Sequence, residues 1–230
     1  MIKANEDILK YMVNTCVNND EEDVKGYEES IGNYSEENVK NSIGTAKWDM
    51  IYNRFINNSI FIGYKSIKIY RGNIWTAVGV YTEETKELFL VFKKPNFKKI
   101  MKHPWSFHYA TILNVANGNM KPRQQELFSE FEIEIDIKVQ YDNLAEELFE
   151  KLGVTPERVI LCAFDSNEFK TYLYNSQQQL VEDKDLSDLI EPRYNKLSND
   201  QENLIPPRKN SKINIVKQKQ PKQRILGLKK

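Results

Sequence analysis

The sequence predicts an α+β fold: a mixed, mainly antiparallel sheet with helices packed on it and a basic C-terminal tail. Three observations carry this. A block rich in β-branched and aromatic residues, 60–92, is punctuated by two polar turns. Apolar stripes of helical period flank it on both sides. From 191 onward Pro, Asn, Gln and Lys dominate and periodicity vanishes, so the tail is expected to be mostly disordered in isolation.

Residues 4–17 read as an amphipathic helix, on the spacing of Ile8, Met12 and Cys16. The stretch 20–35 is acidic, contains Gly26, lacks periodicity and reads as a loop or mobile linker. Ser35, Glu36 and Glu37 then make a helix start: a capping hydroxyl followed by acids at the positive helix end. Val39, Ile43, Ala46 and Met50 continue one stripe, although Gly44 leaves open a separate helix from Thr45 to Asn57. Trp48 and Tyr52 lie one turn apart on it.

Residues 60–70, 74–81 and 88–92 read as a three-stranded antiparallel meander. Arg71-Gly72-Asn73 forms its first tight turn and 82–86 its second. Pro95 opens a helix with Phe97, Ile100 and Met101 on one side, and Pro104 interrupts it. Trp105, Tyr109, Ile112 and Ala116 mark a second helix, which Gly118 stops. A polar loop, 119–125, and a short helical stretch, 126–130, follow.

The stretch FEIEIDIKV, 131–139, alternates apolar and charged residues. It predicts a one-sided strand with Phe131, Ile133, Ile135, Ile137 and Val139 in the core. Asp142 or Asn143 then caps a helix striped by Leu144, Leu148 and Leu152 and ended by Gly153 and Pro156. Residues 158–164 and 169–174 form a hairpin across Asp165-Ser166-Asn167. Residues 131–164 would thus be a β-α-β unit with a right-handed crossover, and the hairpin makes it β-α-β-β. A last short helix is expected at 183–190. The organisation that follows is 1–34, a helix and acidic linker; 35–190, a globular domain divisible at 130/131; and 191–230, the tail.

Composition narrows the function classes. Only two cysteines occur, Cys16 and Cys162, with no C-x-x-C pair, which excludes zinc ribbons and thioredoxin-like sites and fits a reducing cytoplasm. The N-terminus MIKANEDILK lacks an apolar signal core, and no apolar run approaches the roughly 18 residues of a membrane span. A cytoplasmic protein without a membrane partner is expected. Abundant Lys, Asn and Ile point to an AT-rich bacterial, plasmid or phage genome. Net charge is zero, but from Pro206 onward there are nine cations and no acid, so 1–205 carry −9. An acidic body with a basic tail is an asymmetry that asks for explanation, either a partner or a solubilising role.

The spelling Asp136-x-Lys138, with Glu134 beside it, is that of metal-dependent nucleases. On a strand Asp136 and Lys138 share a face, where two carboxylates would hold Mg²⁺ and the lysine would orient a water. No Asp lies between Met50 and Asp136, so the second acid would have to be Glu126 or Glu130. The plainer reading is the wet face of a half-buried strand. No catalytic residue, metal ligand or cofactor is assigned; these three remain candidates only.

The segment KKPNFKKIMKHPWSFHY supplies Lys93, Lys94, Lys98, Lys99 and Lys102 among aromatic residues, a pattern suited to nucleic acid or another partner. Its plainer reading is a solvated lysine face. His103 and His108 are five apart across Pro104, which is not a metal-binding pair on one helix face. Glycine-rich phosphate loops, G-x-S-x-G and H-E-x-x-H are absent from the sequence. In the tail, Arg208, Lys209, Lys217, Lys219, Lys222 and Arg224 could meet phosphates or an acidic protein surface. INIV, Ile213 to Val216, could add a strand to a sheet edge.

Two resemblances attach to these residues. The helix AKWDMIYNRF, the meander after it and the late VILCAFD…FKTYLYN hairpin resemble an uncharacterised family of small bacterial and phage-encoded proteins. That resemblance implies a setting among mobile elements and defence or toxin–antitoxin loci. The order helix, meander, helix, strand over about 45–139 is similar to the core of PD-(D/E)-x-K nucleases, but Val91 stands where that family has an acid. The function expected is a non-catalytic cytoplasmic binding protein acting by protein–protein contact through its acidic N-terminal region or basic tail. The alternatives are a nucleic-acid-binding protein using the tail and 93–102, and a divergent Mg²⁺-dependent nuclease.

Overall fold

A computed structural model describes residues 2–18, 21–31, 42–71, 75–123 and 135–192. The chain divides into two compact units, Met1–Glu191 and Pro192–Lys230. The tail cations Arg208, Lys209, Lys217, Lys219, Lys222 and Arg224, and the INIV segment, lie outside the described residues.

The first unit is α+β, as the sequence predicts. Among the described residues four helices precede the sheet: α1 (Glu6–Val17), α2 (Glu21–Ser30), α3 (Ile43–Asn57) and the single turn α4 (Ser59–Ile62). The meander is β1 (Lys65–Arg71), β2 (Trp75–Thr82) and β3 (Glu87–Lys93). Then come α5 (Lys94–Lys102), α6 (Tyr109–Leu113), a 3-10 turn (Asn114–Asn117) and α7 (Ile135–Leu152). The sheet ends with β4 (Arg158–Phe164), β5 (Phe169–Tyr174) and β6 (Leu180–Asp185). The six strands lie side by side in chain order, and every neighbouring pair is antiparallel except β3–β4. That parallel pair needs a crossover, which α5 to α7 supply.

Three expectations are corrected. The strand expected at 131–139 is overturned over 135–139, which are the first turns of α7; 131–134 lie outside the described residues. Ile137, Tyr141, Leu144 or Ala145, and Leu148 form a stripe at helical spacing, anchored by the fully buried Tyr141. The longer-range period prevails over the local alternation, and Val139, expected in the core, is 52% exposed. The parallel neighbour of β4 is therefore β3, not a strand at 131–139. The acidic stretch read as a loop is helical over Glu21–Ser30. The last helix shrinks to a 3-10 turn, Ser187–Leu189, because 183–185 pair with β5 as β6.

Register sorts the side chains by face. Glu87, Phe89, Val91 and Lys93 lie with Arg158, Ile160, Cys162 and Phe164 on one face; Leu88, Leu90 and Phe92 lie with Val159, Leu161 and Ala163 on the other. The N-terminal helices meet the first face, where the Trp48 ring of α3 stands edge-on to Phe164 at 5.7 Å. The crossover helices meet the second, where Phe97 of α5 stacks on Tyr172 at 4.5 Å. Gly79 lets the second face close: a Cβ there would lie 2.9 Å from Leu88 Cδ1 and 3.1 Å from Leu90 Cδ2. Ile51, Phe55, Leu88, Phe89 and Ile160 are fully buried between the layers. Each such side chain contributes about 1.5–3 kcal/mol of transfer free energy. Cys16 and Cys162 are buried free thiols, and burial pushes both far above the ordinary thiol range, so neither is a nucleophile at neutral pH.

Two polar devices fix the frame. The buried Glu87 carboxylate accepts the backbone N–H groups of Lys3 (3.0 Å) and Ala4 (2.7 Å) and pairs with Arg158 Nη2 at 3.0 Å. This ties the start of the chain to the sheet. Asn117, also buried, accepts the Val159 N–H at 2.7 Å and donates to the carbonyls of Val159 (2.9 Å) and Tyr174 (2.6 Å). It completes the β4–β5 ladder at the point where the strands run out.

Candidate functional site

The other end of the sheet carries a trough. Arg71, last in β1, and Trp75, first in β2, are direct cross-strand partners and so share a face. Together with the end of β3 they open a trough of about 370 Å³. Its floor is Trp48 and Tyr52 of α3, Val91 and Phe92 of β3. Trp48 and Tyr52 are one helical turn apart and stack at 5.2 Å. Trp75, Tyr109 and Ile100 make the walls; Asn96, Lys99, His108 and Arg71 make the rim. A second basin of about 390 Å³ shares Arg71, His108 and Tyr109 and continues past Ser106, Phe107 and Leu144 to Glu147 and Lys151 of α7. Both volumes lie in the range of about 300–1,000 Å³ usual for small-ligand sites.

The electrostatics of the first basin are one-sided. Among the described residues no acid lines the first basin. The Arg71 guanidinium sits over the Tyr109 ring at 5.1 Å, and Lys93 sits over Trp48 at 5.9 Å. Among the described residues, Arg71, Lys93 and Lys99 have no ion-pair partner. Burial lowers the Lys93 pKa, and the neighbouring charge of Lys47 lowers it further. Burial, then the Arg71 charge, pushes His108 down to about 4. His108 Nδ1 accepts the Ala110 N–H at 3.2 Å as the cap of α6. The neutral ring therefore carries its hydrogen on Nε2 and is a donor. The Tyr52 and Tyr109 phenols are pushed up by burial and stay protonated.

The loop before α6 is held in an unusual backbone. Phe107 has φ 57°, the left-handed region that a non-glycine residue seldom adopts. The buried Tyr141 hydroxyl of α7 accepts the Phe107 N–H at 2.9 Å and donates to the Pro104 carbonyl at 3.0 Å. Trp105 and Phe107 pack against the same ring at 4.9 and 5.0 Å. Tyr141 thus pins the loop that delivers Phe107 and His108 to the trough.

One family profile matches residues 1–227, from before α1 into the end of the basic tail. The chain belongs to DUF5986, a family of unknown function. No curated protein and no solved structure matches it.

In this DUF5986 chain the residues singled out by sequence fare unequally. Asp136 and Lys138 are exposed on α7, where two residues apart means nearly opposite sides of the helix; Glu134 lies outside the described residues. The shared strand face that a D-x-K site requires is absent at 135–139. Among the described residues no group of three His, Cys, Asp or Glu is placed to hold a metal ion. Lys94 is engaged with Glu168 and with Asp165 at 3.5 Å, so it belongs to a surface ion-pair network. Lys98 and Lys102 are exposed on α5 outside the trough lining. Lys99 lines the trough, and Lys93 lies over its floor. Arg71, Trp75 and His108 were not among the sequence candidates. A signal existed: Arg71 and Trp75 flank the R-G-N-I-W turn, and a tight hairpin places its flanking residues opposite each other.

Proposed function

We propose that this DUF5986 protein is a binding protein and that its trough takes nucleic acid. One observation carries this reading: cations without ion-pair partners lie against aromatic rings at a trough whose first basin, among the described residues, has no acid. Cations without counter-charges favour phosphates, and aromatic faces favour bases. The basic tail would add further salt-sensitive affinity. Fluorescence anisotropy of the intact protein with labelled oligonucleotides, at low and at raised salt, tests it. Binding that weakens steeply with salt supports the reading; no binding at low salt overturns it.

A second reading, contact with a protein partner, is favoured by the β1 edge of the sheet. Ile60 and Phe61 of α4 are 89% and 86% exposed, and Tyr70 of β1 is 73% exposed. Among the described residues β1 pairs only with β2, so its outer edge is open to a further strand. The resemblance to small bacterial and phage proteins supports a cytoplasmic setting in a defence or toxin–antitoxin locus. Pull-down with the intact protein and with an Ile60→Asp/Phe61→Asp variant checks this edge. Equal recovery of the same partner by both would overturn it.

A further inference from the structure

We infer that the trough is built for a single strand rather than a duplex, with Trp75 as the base platform and Arg71 as the phosphate contact. The inference rests on the nucleic-acid reading and narrows it. Of the three tryptophans, Trp48 is stacked on Tyr52 and set against Phe164, and Trp105 is packed on Tyr141. Trp75 is partly exposed, lines the trough and has no ring neighbour among the described residues. It packs in part against the core, and the rest of its surface lines the trough, where a base can reach it.

The face of Trp75 can be used only by a base that has left its stack, which a single strand offers and a duplex does not. Arg71 lies directly across the β1–β2 pair from Trp75. A base on the indole therefore puts its own backbone beside the guanidinium. The two basins meet at Arg71, His108 and Tyr109, so the trough continues past the first nucleotide towards Phe107 and the Glu147–Lys151 ion pair. That continuity favours a strand over a mononucleotide, which would fill one basin. The Nε2–H of His108 stands at the junction as a donor for a base or sugar oxygen.

Tryptophan fluorescence of the full-length protein separates these possibilities, because the tail contains no tryptophan. The probes are a twelve-nucleotide DNA strand, the corresponding duplex and AMP. The expected result is quenching by the single strand, with duplex and AMP each at least tenfold weaker. Trp75→Phe, folded by circular dichroism, should lose most of the quench, and Trp75→Ala should weaken strand binding about 5- to 100-fold. Duplex binding as tight as the strand, AMP saturating the quench as tightly as the strand, or a quench unchanged in Trp75→Phe would each overturn the inference while leaving nucleic-acid binding in place. No binding of strand or duplex at low salt would overturn both.

Discussion

Strand β3 begins on an acid and ends on a base, and its two ends are treated in opposite ways. At the start, buried Glu87 is surrounded by donors: Arg158, the Lys3 and Ala4 amides and the Thr85 hydroxyl. At the finish, Lys93 lies over an indole beside Lys47, and near it Arg71 and Lys99 line a trough whose first basin has no acid among the described residues. A charge whose partners are all supplied by the chain holds structure together. Charges gathered without partners leave a field for something else to neutralise. Composition alone does not separate the two, since both ends hold charged and aromatic residues within one sheet.

Substitutions can break this contrast, and the largest effect belongs to the satisfied end. Glu87→Ala strands Arg158 and should destabilise the fold by about 3–5 kcal/mol. Arg71→Ala, at an exposed site without an ion pair, should change stability by no more than about 0.5 kcal/mol. Urea unfolding of the two variants measures both. Asn117→Ala removes three hydrogen bonds at the end of β4 and leaves buried backbone groups unmet; a loss of about 2–3 kcal/mol is expected by the same method.

His108 gives a pH test of the unsatisfied end. Its pKa of about 4 lies below the ordinary 6.5, so between these values the unfolded chain binds the proton that the folded chain refuses. Stability is then full above about pH 6.5 and falls as pH drops towards 4, by at most about 2 kcal/mol after solvent screening. NMR titration of the imidazole should show the low pKa, and an anionic ligand in the trough should raise it. A value near 6.5 in the free protein would contradict the environment described. Smaller than these losses, though above the bound set for Arg71→Ala, is the effect of Tyr141→Phe. It should cost about 1 kcal/mol and should alter the amide signals of Phe107 and His108 more than those of β4.

Much of the frame was legible in the sequence, and its failures share one cause. Strands β4 and β5 were readable to the residue, because apolar runs there are bounded by the Asp165-Ser166-Asn167 turn. The meander was readable as three antiparallel strands, except that 60–62, read as the start of the first strand, form the turn α4 and β1 begins at Lys65. The segment 135–139 was misread because its local alternation fits a strand, while the stripe through Ile137, Tyr141 and Leu148 shows only over a longer window. β6 was missed because Leu180–Asp185 is mostly charged, and its pairing with β5 decides its structure. The trough was half visible. Lys93 and Lys99 lie in a segment whose composition marks it. Arg71 and Trp75 become partners only through register, and His108 becomes a neutral donor only through its burial beside Arg71 and the cap it makes on α6.

The claim that the trough cations meet phosphates is tested most directly by the salt dependence of single-strand binding. The proteins to compare are the intact chain and an Arg71→Ala/Lys99→Ala double variant, both with the tail in place. Each lost phosphate contact should reduce the slope of log K against log salt by about 0.7, so the double variant should be shallower by about 1.4. Parallel slopes for the two proteins would contradict the account.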